Sequence, residues 1–270
     1  MAEASFLAGV QAGGVSAADP GVKELSERLV KALTQEEFIL FGQAIMPISP
    51  KGDEAPFQEI LIRFKEEEER LLPPGAFLPV LEQCRLMRHV DRWVVSRVAR
   101  WTPYARMTAP GQRTPRSSLN LSPDTLQDAG FPPHVQRVVK GAELPEGTLS
   151  FELGLDTAVA GPASLGSLTG ALREAGCHLV LAGFDGSARA LAVLGKLLPK
   201  WVKISPGVVR ATLRKPEDKA TLDAIVRSCR QLGVGTIAEY VEDDETLALL
   251  RDAGVDYAQG YGIRLPERLA

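Results

Sequence analysis

"HLVLAGFDGSARALAVLGKLLPKWVKIS", His178 to Ser205, reads as an apolar strand, a loop of small residues, a helix over residues 187–198 and a second apolar strand. The same unit recurs around it. Strand "SSLNLS" (117–122) precedes a helix at 123–139, and strand "TLSFEL" (148–153) precedes a helix at 162–176. A helix at 216–232 leads to strand "GTIAEY" (235–240), a helix at 243–253 and a last short strand near "YAQGY". Repeated strand-helix units with short apolar strands predict a parallel sheet. About eight strands in roughly 250 residues fit a closed (β/α)8 TIM-like barrel; an open doubly wound sheet is the rival.

The first part of the chain reads differently. Residues 1 to about 20 are expected to form a flexible tail or linker, leaving residues 21–270 as the domain. Leu25, Leu29, Val30 and Leu33 recur at helical spacing and predict a helix ending near Gln35. Strands at "EFILFGQAIMPIS" and "PFQEILIRF", separated by "SPKGDEAP", predict a hairpin, hence one antiparallel pair. Helices are expected at "AFLPVLEQC" and "HVDRWVVSRVARW", then a Pro/Gly-rich loop from Thr102 to Arg116. The charge run "KEEEER", Lys65 to Arg70, reads as a solvated segment.

Composition bounds the function. Hydrophobic residues at 45% and charged residues at 24% describe a globular chain with a sizeable core. A net charge of −3 argues against partners held by a positive surface, so no DNA, no RNA and no anionic membrane is expected. Cys84, Cys177 and Cys229 lie far apart with no ligand spacing and read as free thiols. The N-terminus has neither a signal-peptide pattern nor an apolar run long enough to span a bilayer, which predicts a cytoplasmic location.

Polar residues inside barrel strands are costly, so they mark candidate chemistry. Alternation puts Phe57, Glu59, Leu61 and Arg63 on one face of "FQEILIRF", where Glu59 and Arg63 form either a structural ion pair or part of a site. Asn120, Glu152, Lys203 and Glu239 interrupt or end four other strands. Glutamate and asparagine oxygens suit Mg²⁺ or Mn²⁺, and an ammonium suits a water or a phosphate oxygen. No P-loop, GxGxxG, GxSxG or HExxH supports a rival chemistry.

With these residues in place, the chain resembles the EAL domain family of cyclic di-GMP phosphodiesterases over roughly Val22 to Pro266. "QAI" at Gln43 is similar to the family's QPI, "EILIR" at Glu59 to EALLR, and "PPGAFLPVLE" to PxxFIPxAE. "DRWVV" at Asp91 resembles DRWVL, "NLS" at Asn120 the asparagine motif, and "FEL" places Glu152 where the family has ELTE. "KWVKIS" stands for LKID, "AEYVE" for AEGVE and "QGYGIRLP" for QGYLFSRPLP. The resemblance implies a (β/α) barrel with one strand reversed and, in active members, two Mg²⁺ or Mn²⁺ ions that activate a water against one phosphodiester bond. It assigns metal ligation to Glu59, Asn120 and Glu152, a water or metal contact to Lys203, and site organisation to Glu239 and Gln259, with Lys203 and Glu239 at the family's catalytic positions. Arg63 would meet a phosphate, while Gln43, Leu61 and Asp91 would lie against the nucleotide.

The departures cluster. Where active members carry DDFG, this chain has Ala182-Gly183-Phe184-Asp185, so two expected metal-binding acids are missing. The second acid of ELTE is Leu155, and Ser205 replaces the aspartate of KID. Two ions about 4 Å apart need bridging carboxylates, so three remaining ligands fit at most one weakly held Mg²⁺ or Mn²⁺, or no metal. Asp185 would have to re-enter from a different backbone position and reads as a turn aspartate. Glu59, Glu152 and Glu239 against Arg63 and Lys203 leave the pocket near −1, and two more aspartates would take it to −3, which disfavours a dianionic nucleotide without metal. The expectation is a catalytically impaired domain that binds cyclic di-GMP as a receptor. The alternatives are a weak phosphodiesterase yielding the linear dinucleotide, and a nucleotide-free protein-interaction module. An upstream sensory domain, a protein partner and a homodimer are each compatible with the sequence.

Overall fold

A computed structural model describes residues 20–35, 37–50, 54–65, 71–109, 111, 113–161, 163–214 and 219–269. The expected N-terminal tail, up to residue 19, and Glu66 to Arg70 of the charge run lie outside the described residues.

Helix α1 (Pro20–Thr34) leads into β1 (Phe38–Ala44) and, past Ile45, β2 (Met46–Pro47). β3 (Phe57–Lys65) returns antiparallel to β1 with Gln43 opposite Glu59, which is the expected hairpin. β4 (Leu71–Leu72), α2 (Pro74–Gln83) and α3 (Met87–Thr108) follow, and from there strands and helices alternate. The strands are β5 (Arg116–Asn120), β6 (Leu149–Gly154), β7 (His178–Phe184), β8 (Trp201–Ile204), β9 (Gly235–Ala238) and β10 (Tyr257–Ala258). Between them lie a 3₁₀ turn (Pro123–Gln127), α4 (Phe131–Gly141), α5 (Leu155–Ala160), α6 (Leu165–Glu174), α7 (Ala188–Leu197), α8 (Pro206–Arg214), α9 (Lys219–Gln231) and α10 (Asp244–Ala253).

Strands β3, β5, β6, β7, β8, β9 and β10 pair in that order, all parallel. β1 pairs with β3 at one end of this series and β2 pairs with β10 at the other. Because β1 and β2 are one segment bent at Ile45, the sheet curls round into a TIM-like barrel with one reversed strand. A short strand β11 (Glu267–Arg268) adds to the outer edge of β1.

Alternation sorts the inward residues into levels along the barrel axis. Ile45, Phe57, Val180, Trp201 and Ile237 form an apolar plug, with Tyr257 against it. Two residues further along their strands, toward the carboxyl ends, come Glu59, Ala182, Lys203, Glu239 and Gln259. The floor of the strand mouth is therefore polar and rests on a dry layer. Outside the sheet a larger core joins strands to helices, with Phe38 and Phe77 at 5.5 Å and Phe131 and Phe151 at 5.7 Å between ring centroids.

Several elements correct the sequence reading. The expected loop from Thr102 is helical as far as Thr108 despite Pro103, because Val98, Ala99 and Thr102 are buried and Thr102 Oγ1 donates to the Val98 carbonyl at 2.8 Å. The stretch expected as one helix at 123–139 splits into the 3₁₀ turn and α4, since Asp128 and Gly130 break the helical path. Helices α5 and α8 were not anticipated. Each begins right after a strand end; α5 has no side-chain cap, whereas Ser205 Oγ caps α8 by accepting from the Gly207 amide at 3.3 Å.

Candidate functional site

The polar floor is built around Lys203. Its side chain is 0% exposed, and its ammonium lies 2.7 Å from Glu59 Oε2, 2.8 Å from Glu152 Oε2 and 3.5 Å from Glu239 Oε1. Strand β8 puts Lys203 two residues above the plug residue Trp201, so its charge sits in the polar level that rests on the dry layer. An ammonium has three protons, and here three carboxylates surround it.

Glu59 is the other hub. Its Oε1 accepts from Asn120 Nδ2 at 2.7 Å, and its Oε2 accepts from both Lys203 and Gln259 Nε2, each at 2.7 Å. Gln259 Nε2 also reaches Gln43 Oε1 at 3.1 Å. Glu59 therefore pairs with Lys203 across the barrel, and the ion pair with Arg63 weighed from the sequence is not formed. Arg63 instead donates from Nη1 to the Ile62 carbonyl and lies 5.4 Å over the Phe41 ring.

Above the floor is a cleft of about 350 Å³ lined by Gln43, Glu59, Leu61, Arg63, Glu239 and Gln259, six of the residues singled out from the sequence. Pro74, Tyr240, Glu242, Gly260 and Tyr261 complete it. Of the remaining predicted residues, Glu152 and Lys203 lie buried beneath, while Asn120, exposed at the carboxyl end of β5, reaches Glu59 from the mouth. Asp91 stands apart from the cleft lining. It is buried behind β5, where its Oδ2 accepts from the Ser122 amide, the Ser122 hydroxyl and the Thr125 hydroxyl at 2.9, 2.7 and 2.6 Å, fixing the turn that follows Asn120.

Sequence reading missed the rim. Gly260 had no visible role, yet a Cβ there would sit 2.1 Å from the Val241 carbonyl oxygen, so only glycine lets the "QGYG" loop close on the loop bearing Glu239 and Tyr240. Ser118, inward-facing on β5 beneath Asn120, donates to Glu152 at 3.3 Å. Glu242 adds an acid to the rim that strand alternation could not show, because it lies past the end of β9.

Burial and mutual charge set the protonation of this group. Burial pushes Glu59 upward, but the Lys203 ammonium and the hydrogen bonds from Lys203, Asn120 and Gln259 outweigh it and hold the carboxyl below its ordinary value. Glu152 is pushed up to about 7 by burial and by Glu59 and Glu239, against the pull of Lys203. Burial also raises Glu239. Burial works against the Lys203 ammonium, but its three carboxylates win and raise its pKa.

Asp91 is pushed up to about 6, mainly by burial. A carboxyl whose pKa rises on folding adds stability that is complete below its unfolded value near 3.8 and is lost as pH rises through about 6. The stability of the wild-type chain relative to Asp91→Asn is therefore expected to fall between pH 4 and pH 6 and to level off above pH 7. Urea unfolding of both proteins checks this, and a difference that grows with pH contradicts it. The variant is needed as reference because burial lowers His89, His134 and His178, which act in the opposite sense near pH 6.

At the metal-binding positions implied by the resemblance, the donor set does not fit a pair of divalent ions. Both Glu59 oxygens are engaged by nitrogen donors, and Glu152 Oε2 is shared by Lys203 and Ser118. Among the described residues no three His, Cys, Asp or Glu side chains are grouped as a metal site. β7 carries an irregularity in its pairing with β8, between Leu181 and Phe184, that places Ala182 and Gly183 at the mouth without a carboxylate. Asp185 Oδ1 accepts from the Ser187 amide at 2.9 Å, and its Oδ2 lies 3.9 Å from Arg189 on α7, as the turn reading expects.

The sequence profile of the EAL domain matches residues 26–266. The chain is 28% identical over 245 residues to the cyclic di-GMP phosphodiesterase PdeF of Escherichia coli (strain K12), covering 91% of this chain and 32% of that protein. It is 27% identical over 243 residues to the cyclic di-GMP phosphodiesterase PdeB of Shewanella oneidensis, covering 90% and 28%. It thus spans about a third of the length of these curated relatives. The crystal structure of the FimX EAL domain from Pseudomonas aeruginosa bound to c-di-GMP superposes with a TM-score of 0.82 at 25% identity, over 90% of this chain and 96% of that one. Among the described residues no helix is long and apolar enough to cross a membrane. With the profile covering nearly all of the barrel, the chain belongs to the EAL domain family.

Proposed function

We propose that this chain is a cyclic di-GMP receptor, an EAL domain that binds the nucleotide and leaves it intact. The observation that carries the reading is the asymmetry of the strand mouth. One side keeps Gln43, Glu59, Leu61, Arg63, Glu239 and Gln259 in a single cleft, while the β7 side presents Ala182 and Gly183. Arg63 uses one of its five N–H groups on the Ile62 carbonyl, which orients the guanidinium and leaves donors for a phosphate. Lys203 offsets the charge of Glu59, and the raised pKa of Glu152 lightens the negative charge that a dianion would meet, although Glu242 adds to it.

Hydrolysis is the second reading, favoured by the names of the curated relatives. In this chain it would need Asp185 to leave Ser187 and Arg189. A receptor also needs an output, and a neighbouring domain, a second copy or a partner protein would supply it.

Calorimetric titration with cyclic di-GMP in EDTA tests the proposal. Saturable heat is expected for the wild-type chain, and about tenfold or greater weakening for Arg63→Ala, since a hydrogen bond to a charged group contributes about 1.5–3 kcal/mol. Absence of heat at high-micromolar nucleotide contradicts it.

A further inference from the structure

Resting on that reading of the cleft, we infer that Tyr240 is a stacking platform for a purine ring of the bound nucleotide and contributes to its affinity at the rim. Tyr240 has a φ of 57°, in the left-handed region where a side chain's Cβ crowds the following carbonyl. In the motif that "AEYVE" resembles, a glycine stands at this place, which is the residue such a backbone favours. A tyrosine held there against its preference, beside a cleft, points to use of the ring.

The surroundings say what the use is. The backbone reversal lets Glu239 turn inward to Lys203 while the adjacent Tyr240 turns outward over the rim. Tyr240 is 63% exposed and forms a wall shared by two clefts. One cleft holds Gln43, Glu59 and Arg63, and the other holds Arg210 and Leu213. The Arg210 guanidinium lies 5.8 Å from the Tyr240 ring centroid, which steadies the ring from one side. A steadied, exposed aromatic face beside the guanidinium proposed to hold a phosphate suits a nucleobase joined to that phosphate through its sugar. Stacking of this kind accepts any purine π-face, so it contributes affinity that does not depend on metal.

Calorimetry with cyclic di-GMP in EDTA, on the full chain, compares wild type, Tyr240→Phe and Tyr240→Gly, with thermal unfolding of each. Tyr240→Gly is expected to weaken binding about tenfold or more while its melting temperature stays level or rises, because the left-handed strain is relieved. Tyr240→Phe is expected to bind within about twofold of wild type, since stacking needs the ring and not the hydroxyl. Wild-type affinity in Tyr240→Gly overturns this inference alone. Loss of affinity in Tyr240→Phe equal to that in Tyr240→Gly overturns it as well. A wild-type chain that gives no heat overturns the receptor reading and this inference with it.

Discussion

Lys203→Met is expected to destabilise the fold by about 3–5 kcal/mol at neutral pH, the largest effect of any single side chain at the site. Methionine matches the lysine stem in length and apolar character, so the packing above Trp201 is kept and the change isolates the charge. What it leaves behind is Glu59, Glu152 and Glu239, three carboxyls converging on a point from which the one neutralising group has gone. Uncompensated buried charge is costly, because neither water nor a counter-ion replaces the lost partner. The cost should shrink as pH falls. Glu152 already has a pKa near 7, and without Lys203 it rises further, so mild acid lets the group neutralise itself. Urea unfolding at pH 7.5 and pH 5.5 measures both effects. A loss under about 1 kcal/mol at pH 7.5, or a loss that is larger at pH 5.5, contradicts the account.

The second large effect is a gain. Ala182→Asp combined with Gly183→Asp is expected to tighten Mn²⁺ binding about a hundredfold, roughly tenfold for each added carboxylate facing the site. The backbone is prepared for the change. Gly183 has a φ of 71° and an added Cβ there meets no atom within 4 Å, and aspartate is among the residues that tolerate the left-handed region. Ala182 lies opposite Gly154, at the half-buried end of β7. The same two charges are expected to weaken cyclic di-GMP binding in EDTA, because they take the cleft further negative. Calorimetry with Mn²⁺ and with nucleotide reads both arms. Unchanged Mn²⁺ affinity in a folded double variant contradicts the view that these two positions are where metal binding was lost.

Much of the barrel was legible in the sequence because a parallel strand buried on both faces is a short apolar run, and "HLVLA" and "KWVKIS" are such runs. The reversal of one strand was legible in "SPKGDEAP", whose turn residues separate two extended stretches. α5 and α8 escaped because a six- or nine-residue helix directly after a strand has too little periodicity to register. Pro103 misled because its local preference is a chain break, whereas the burial of Val98, Ala99 and Thr102 keeps the helix going.

At the site, period-two alternation found the inward residues one strand at a time. It could not show which of them meet. That Lys203 stands among Glu59, Glu152 and Glu239 depends on how far each strand advances around the barrel, which is a property of the closed sheet. Asp91 was named by motif position, yet its carboxyl is spent on Ser122 and Thr125. Tyr240 was read only as a letter in "AEYVE", since its importance lies in a backbone angle that no pattern of side chains reveals.

The central claim, binding without cleavage, is tested most directly by incubating the full chain with cyclic di-GMP and Mn²⁺, separating protein from free nucleotide, and identifying chromatographically what stays bound. The account predicts intact cyclic di-GMP retained by the protein, in an amount unchanged when EDTA replaces Mn²⁺. Recovery of the linear dinucleotide, abolished by Glu59→Ala, or recovery of no nucleotide at all would contradict it.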